Sequence, residues 1–191
     1  MRATWLVRSG FARAGILTTA MLLCAGAAPR PIAAEGDATT DLRAAFLYTL
    51  ARFTEWPADN PAGPITLCVR GDDAVDEALV RLAGHRHIGG RTVAITRLGD
   101  PAQPPACHLL YLAGDAAALN TETLRAVASQ AVLTVGDGEQ FVRTGGVAAL
   151  FMDGGRMRFA INPDAMLRAR LRISSKLLGI ARLLKDGDGQ P

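Results

Sequence analysis

The chain has 191 residues and a formal charge of +3, but four of its arginines, Arg2, Arg8, Arg13 and Arg30, lie in an N-terminal leader. Without those four positive charges the balance is −1, and a near-neutral domain with no zinc-finger spacing lacks the basic patch that binding to nucleic acid needs. The residues from Glu35 onward suit one domain with a full core.

The leader has the form of a secretory signal peptide. Arg2, Arg8 and Arg13 are followed by an uncharged apolar run from Ala14 to Ala28 and by small residues at Ala25-Gly26-Ala27 and Ala33-Ala34. The run is shorter than the roughly 20 residues a membrane-spanning helix needs. Residues 1–34 are therefore expected to be removed on export, leaving a domain over 35–191. Leu22-Leu23 ahead of Cys24, where a small residue would be required, argues against lipidation. Export leaves Cys68 and Cys107 in an oxidising compartment. An even count there suggests a disulfide, the other reading being two buried thiols on separate strands.

In chain order, Leu42, Ala45, Phe46, Thr49, Leu50, Phe53 and Trp56 recur at three- and four-residue steps. They predict an amphipathic helix with Thr39, Thr40 or Asp41 as cap and Pro57 as its end. One pattern then occurs three times, an apolar strand followed by Gly-Asp and a helical stretch: ITLCVRGDDAVDEALVRLAG, HLLYLAGDAAALNTETLRAVAS and AVLTVGDGEQFVRTGG. Each apolar run reads as a strand buried on both faces. Each helix has an aspartate available as cap, and Asp137 and Gln140 have capping-box spacing. Arg91 to Leu98 is a further alternating strand, and Pro101 to Pro105 a linker.

Near the C-terminus, Val147 to Met152 and Arg156 to Asn162 flank Asp153-Gly154-Gly155 and predict an antiparallel hairpin. Alternation places Met157, Phe159 and Ile161 on a buried face and Arg156 and Arg158 on the other. From Ser174, the apolar residues Leu177, Leu178, Ile180, Ala181, Leu183 and Leu184 predict a helix capped by Ser174 or Ser175, with Arg182 and Lys185 at its C-terminal end. Strands alternating with helices give the expected class: α/β, a three-layer single domain with a mixed, largely parallel sheet and a C-terminal antiparallel hairpin.

Loops after parallel strands line ligand crevices, so Asp72, Asp73, Asp115 and Asp137 form a candidate ligand rim, the competing reading being that each caps its own helix. Neither G-x-G-x-x-G nor a P-loop occurs. His85 and His87 fall in a Gly-flanked turn, and His108 lies on a separate strand, which leaves a catalytic zinc short of its three protein ligands. Ser174-Ser175-Lys176 lacks the S-x-x-K spacing, and no serine has a Gly-x-Ser-x-Gly turn. No catalytic residue, metal or cofactor is expected.

The runs RAAFLYTLARFTEWP (43–57), LCVRGDD (67–73), ACHLLYL (106–112), VLTVGD (132–137), RMRFAIN and LRISSKLLGIARLL resemble the YfiR-like family of bacterial periplasmic proteins. The resemblance implies a single α/β domain that can dimerise. It also implies that Cys68 and Cys107 match a disulfide pair of the founding member, which restrains a membrane-bound diguanylate cyclase by binding its periplasmic sensor domain. A second cysteine pair found in some relatives has no counterpart here. Two functions are therefore expected. The first is a periplasmic repressor, a homodimer on the strength of the resemblance, contacting an acidic face of a membrane-anchored sensor domain through Arg156, Arg158, Arg172 and Lys176. The alternative is a small-molecule binding module whose pocket lies at the Gly-Asp rim.

Overall fold

The computed structural model describes residues 33–58, 62–99, 106–114 and 117–187. The expected leader through residue 32, and Asp115 of the expected rim, lie outside them. In chain order the elements are α1 (Ala33–Arg52), β1 (Thr54–Glu55), β2 (Ile65–Arg70), α2 (Asp73–Ala83), β3 (His87–Ile88), β4 (Arg91–Arg97), β5 (Leu109–Leu112), α3 (Ala117–Val127), β6 (Leu133–Asp137), α4 (Glu139–Arg143), β7 (Ala148–Asp153), β8 (Arg156–Ile161), α5 (Pro163–Arg168), β9 (Arg172–Ile173), α6 (Ser175–Leu178) and β10 (Arg182–Leu183).

The main sheet has the order β10-β8-β7-β6-β5-β2-β4-β3. β4, β2, β5, β6 and β7 run parallel, and the antiparallel pairs are β7 with β8 and β3 with β4. This is the mixed, largely parallel sheet with a hairpin that the alternation of elements implies.

Side-chain alternation along the buried strands divides the core into two layers. Leu67, Val69, Leu109, Tyr111, Leu133 and Val135 pack with Ala44, Leu47 and Tyr48 of α1 and Val75 and Leu79 of α2. Cys68, Leu110 and Leu112 point the other way, into a second cluster with Leu124 of α3 and Phe141 and Val142 of α4. Strands covered by helices on both sides have no wet face, which is why these runs are apolar without a break. Cys68 and Cys107 form a disulfide with Cα atoms 5.9 Å apart, closing a separation of 39 residues that contains α2, β3 and β4.

Two expectations about elements are corrected. α1 begins at Ala33, so Thr39, Thr40 and Asp41 are interior rather than caps, and it ends at Arg52. Its buried stripe is Ala44, Leu47, Tyr48 and Ala51, with Leu50 alongside, while Leu42 and Phe53 are 44% and 38% exposed. The buried stripe is rotated from the one the spacing favoured: Leu50 belongs to both, Phe46 packs against the core edge, and Ala44, Leu47, Tyr48 and Ala51 are buried in place of Leu42 and Phe53. Phe46 is only partly buried, its ring centroid 5.9 Å from that of Phe159.

The expected C-terminal helix is a single turn. Ser174 caps it and Gly179 closes it. The chain then extends so that Arg182 and Leu183 pair with Ala160 and Ile161, and Leu184 N–H donates to the Ile161 carbonyl at 3.0 Å. A helix through Leu184 would leave the outer edge of β8 without backbone partners, and Gly179 is a poor residue with which to continue one. Leu183 is accordingly 54% exposed and Ile180 70% exposed. Arg182 lies 4.9 Å from the Phe151 ring and bonds Glu139 and Asp153.

Asn162-Pro163 ends β8 and also starts a helix. The Asn162 side chain accepts from the N–H groups of Asp164 and Ala165, with Pro163 in the first turn of α5, where its missing N–H costs nothing.

Candidate functional site

From β2 the chain passes to β4 on one side of it, then returns to β5 on the other. This reversal makes the carboxyl ends of β2 and β5 the topological switch point, the place where open α/β sheets accept ligands. Registers Arg70↔Leu112 and Leu112↔Gly136 carry the three strands to the same level. The Gly-Asp corners therefore stand side by side. At Gly71, with φ +86°, a Cβ would sit 3.2 Å from the Ala113 carbonyl oxygen, so glycine is what lets the first two corners approach.

The aspartates at this rim do different things. Asp72 caps α2, accepting from Val75 N–H at 3.0 Å. Asp73 pairs with Arg97 at 3.2 Å, and Arg97 also reaches the buried Asp76 at 3.1 Å. Asp137 departs from the expected capping box: Gly138, at φ 75°, occupies the N-cap of α4 and makes no side-chain cap bond. The positive φ turns the chain after β6 and leaves the Asp137 carboxylate facing β5 instead. It accepts the Tyr111 hydroxyl at 3.0 Å and Gly114 N–H at 3.1 Å, and lies 3.4 Å from Arg43 Nε of α1. Tyr111 is fully buried, and burial first, then the facing carboxylate, holds its phenol protonated far above the ordinary range.

Beside this group opens a cleft of about 270 Å³ lined by Gly114, Asn120, Thr121, Asp137, Gln140 and Phe141, among others. It offers a carboxylate, amide and hydroxyl groups, and one aromatic ring. Of the expected rim residues the structure sets Asp72 and Asp137 at corners on either side of β5, with Asp73 turned to Arg97. Tyr111 and Arg43 were not signalled by the sequence: the tyrosine sits within an unbroken apolar strand, and the arginine on a different helix.

The expected basic surface is distributed over three elements. Arg156 and Arg158 are exposed on β8, opposite Asp153 and Phe151 in the hairpin register. Arg172 is exposed on β9, which pairs with β1 in a separate two-stranded sheet, and Lys176 is exposed on α6. Nearby, Arg168 is engaged by Asp186 at 2.7 Å.

Among the described residues no three His, Cys, Asp or Glu side chains gather to hold a metal. His85 and His87 are exposed. His108, next to Cys107, is buried and structural: Nδ1 accepts Thr66 N–H at 3.1 Å, its carbonyl accepts Trp56 Nε1–H at 3.0 Å, and Nε2 faces the Arg91 guanidinium at 3.0 Å. Burial, helped by Arg91, pushes its pKa down to about 4.

No described helix is long and apolar enough to cross a membrane. Among solved structures the chain is similar to a conserved domain protein from Vibrio cholerae O1 biovar El Tor strain N16961, at 13% identity and a TM-score of 0.49. That match covers 77% of this chain and 60% of the Vibrio chain, so this chain spans about 60% of that protein's length. A family model described as YfiR/HmsC-like matches residues 40–182, from within α1 to the start of β10. The chain belongs to the YfiR/HmsC-like family, whose members are periplasmic regulators of cyclic-di-GMP signalling.

Proposed function

We propose that this chain is a periplasmic repressor that binds the periplasmic sensor domain of a membrane-bound diguanylate cyclase, works by occupancy without chemistry of its own, and acts as a homodimer after residues 1–34 are removed. Family membership over residues 40–182 carries this reading. Arg156 and Arg158, exposed on the hairpin, support a docking role, with Arg172 and Lys176 as flanking contacts. Charges at such a surface set encounter rate and orientation and weaken with salt, while apolar neighbours such as the exposed Ile180, which lines a groove with Arg158, hold the complex.

The test is the double reversal Arg156→Glu and Arg158→Glu. Both side chains are outward, so the fold should survive. Cyclase output in cells should rise, and affinity for the isolated sensor domain should fall by about tenfold or more. A well-folded double variant with unchanged output and unchanged affinity would remove this surface from the mechanism. Sedimentation at micromolar concentration tests the dimer.

A second reading, a small-molecule binding module, rests on the cleft of about 270 Å³ beside Asp137, at the carboxyl ends of β5 and β6. It would be favoured if changes in the cleft, such as Gln140→Ala, altered signalling while leaving affinity for the sensor domain intact.

A further inference from the structure

A second groove lies between α3 and the end of α4, with a volume of about 340 Å³, and three guanidinium groups, those of Arg125, Arg143 and Arg168, line it. The acid among its lining residues is Asp186, from the segment that follows β10. Its carboxylate is held from two sides. One oxygen accepts from Nδ2 of Asn162, and the other accepts from Arg168 Nη1 at 2.7 Å. Asn162 is fully buried, and its remaining bonds are structural: Nδ2 also donates to the Val142 carbonyl at 2.8 Å, while Oδ1 caps α5. Without a carboxylate in this position an amide N–H inside the protein and a guanidinium at the groove wall both lose their acceptor, which a folded protein tolerates poorly.

We propose that the groove is a binding site for a small dicarboxylic acid and that Asp186 is its resident occupant, displaced when the acid binds. One carboxylate of the ligand takes over the Asn162 and Arg168 contacts. The second is met by Arg125, while Arg143, paired with Glu139 at 3.3 Å, forms the wall beside it. Planar guanidinium groups suit carboxylates because two parallel N–H donors match two oxygens. A tethered carboxylate competes at a high effective concentration, so the wild-type protein should respond weakly to free acid and a chain without the Asp186 carboxylate strongly. This site stands independently of the sensor-domain reading, since neither Arg156 nor Arg158 lines it.

Succinate is the probe, added to the full mature chain with sodium chloride at equal ionic strength as control. In Asp186→Ala, calorimetric titration should give succinate affinity at least about tenfold tighter than in wild type, and the melting temperature should rise with succinate but not with salt alone. The double variant Asp186→Ala, Arg168→Ala should lose both effects. If Asp186→Ala folds poorly, Asp186→Asn retains an acceptor for Asn162 and removes the charge, and the same tightening is expected. Absence of succinate-specific binding in a folded Asp186 variant, or retention of it after loss of Arg168, overturns the proposal.

Discussion

The Tyr111 hydroxyl and the Asp137 carboxylate, 26 residues apart in the chain, meet at 3.0 Å across the neighbouring parallel strands β5 and β6. The phenol is the buried partner, and the carboxylate also gathers Gly114 N–H and Arg43. One acid thereby ties together two strand ends and the helix packed over them. Tyr111→Phe should cost about 1.5–3 kcal/mol, the range for a hydrogen bond to a charged group. A double-mutant cycle with Asp137→Ala, read by urea denaturation, should return a coupling above about 0.5 kcal/mol. Additive losses would mean that the two residues act separately.

The buried His108 makes stability depend on pH in a definite direction. Its ring stays neutral in the folded protein down to about pH 4, held there by burial and then by Arg91, whereas an unperturbed histidine titrates near 6.5. Between those values the unfolded chain binds a proton that the folded chain refuses. Stability must therefore fall as pH drops through this window, by about 1.4 kcal/mol per unit from this group. His108→Gln, which can still accept from Thr66 N–H, should show a shallower decline from pH 6.5 to 4. Carboxylates titrate in both proteins and cancel in the difference. Parallel profiles for the two proteins would count against a buried neutral ring.

The Cys68–Cys107 bond constrains the segment that carries α2, β3 and β4. In the chain-entropy account a closed loop of this length is worth about 4 kcal/mol, and replacing both cysteines by alanine should lower stability by an amount of that order. Thiol titration of the unfolded, unreduced mature chain should detect no free thiol. Two thiols per chain would contradict the bond.

The face that α1 buries is tested by a pair of leucines. Leu47 is fully buried and Leu42 is 44% exposed. Leu47→Ala should cost about 2–5 kcal/mol, and Leu42→Ala within about 0.5 kcal/mol of nothing. Similar losses at both positions, measured by denaturant unfolding, would return the helix to the orientation its bulky residues suggest.

What the residues alone determined is whatever depends on neighbours in the chain. The unbroken apolar runs around Leu67, Leu110 and Val135 require strands covered on both faces, and Gly-Asp after each strand requires a turn toward a helix. Alternation from Arg156 to Ile161 requires a hairpin with arginines outward. These periodicities are local, and they carried the α/β class and the mixed sheet. Only the tertiary structure decided the rest, because each remaining choice lay between partners far apart in sequence. Whether Asp137 caps α4 or faces Tyr111 turns on the positive φ of Gly138 and on the strand that pairing sets alongside. Which stripe of α1 is buried depends on the sheet it meets, against which Ala44, Leu47 and Ala51 are covered while Leu42 stays exposed. Whether residues 180 to 184 continue a helix or extend depends on the open edge of β8, whose backbone groups need partners that local propensity does not register.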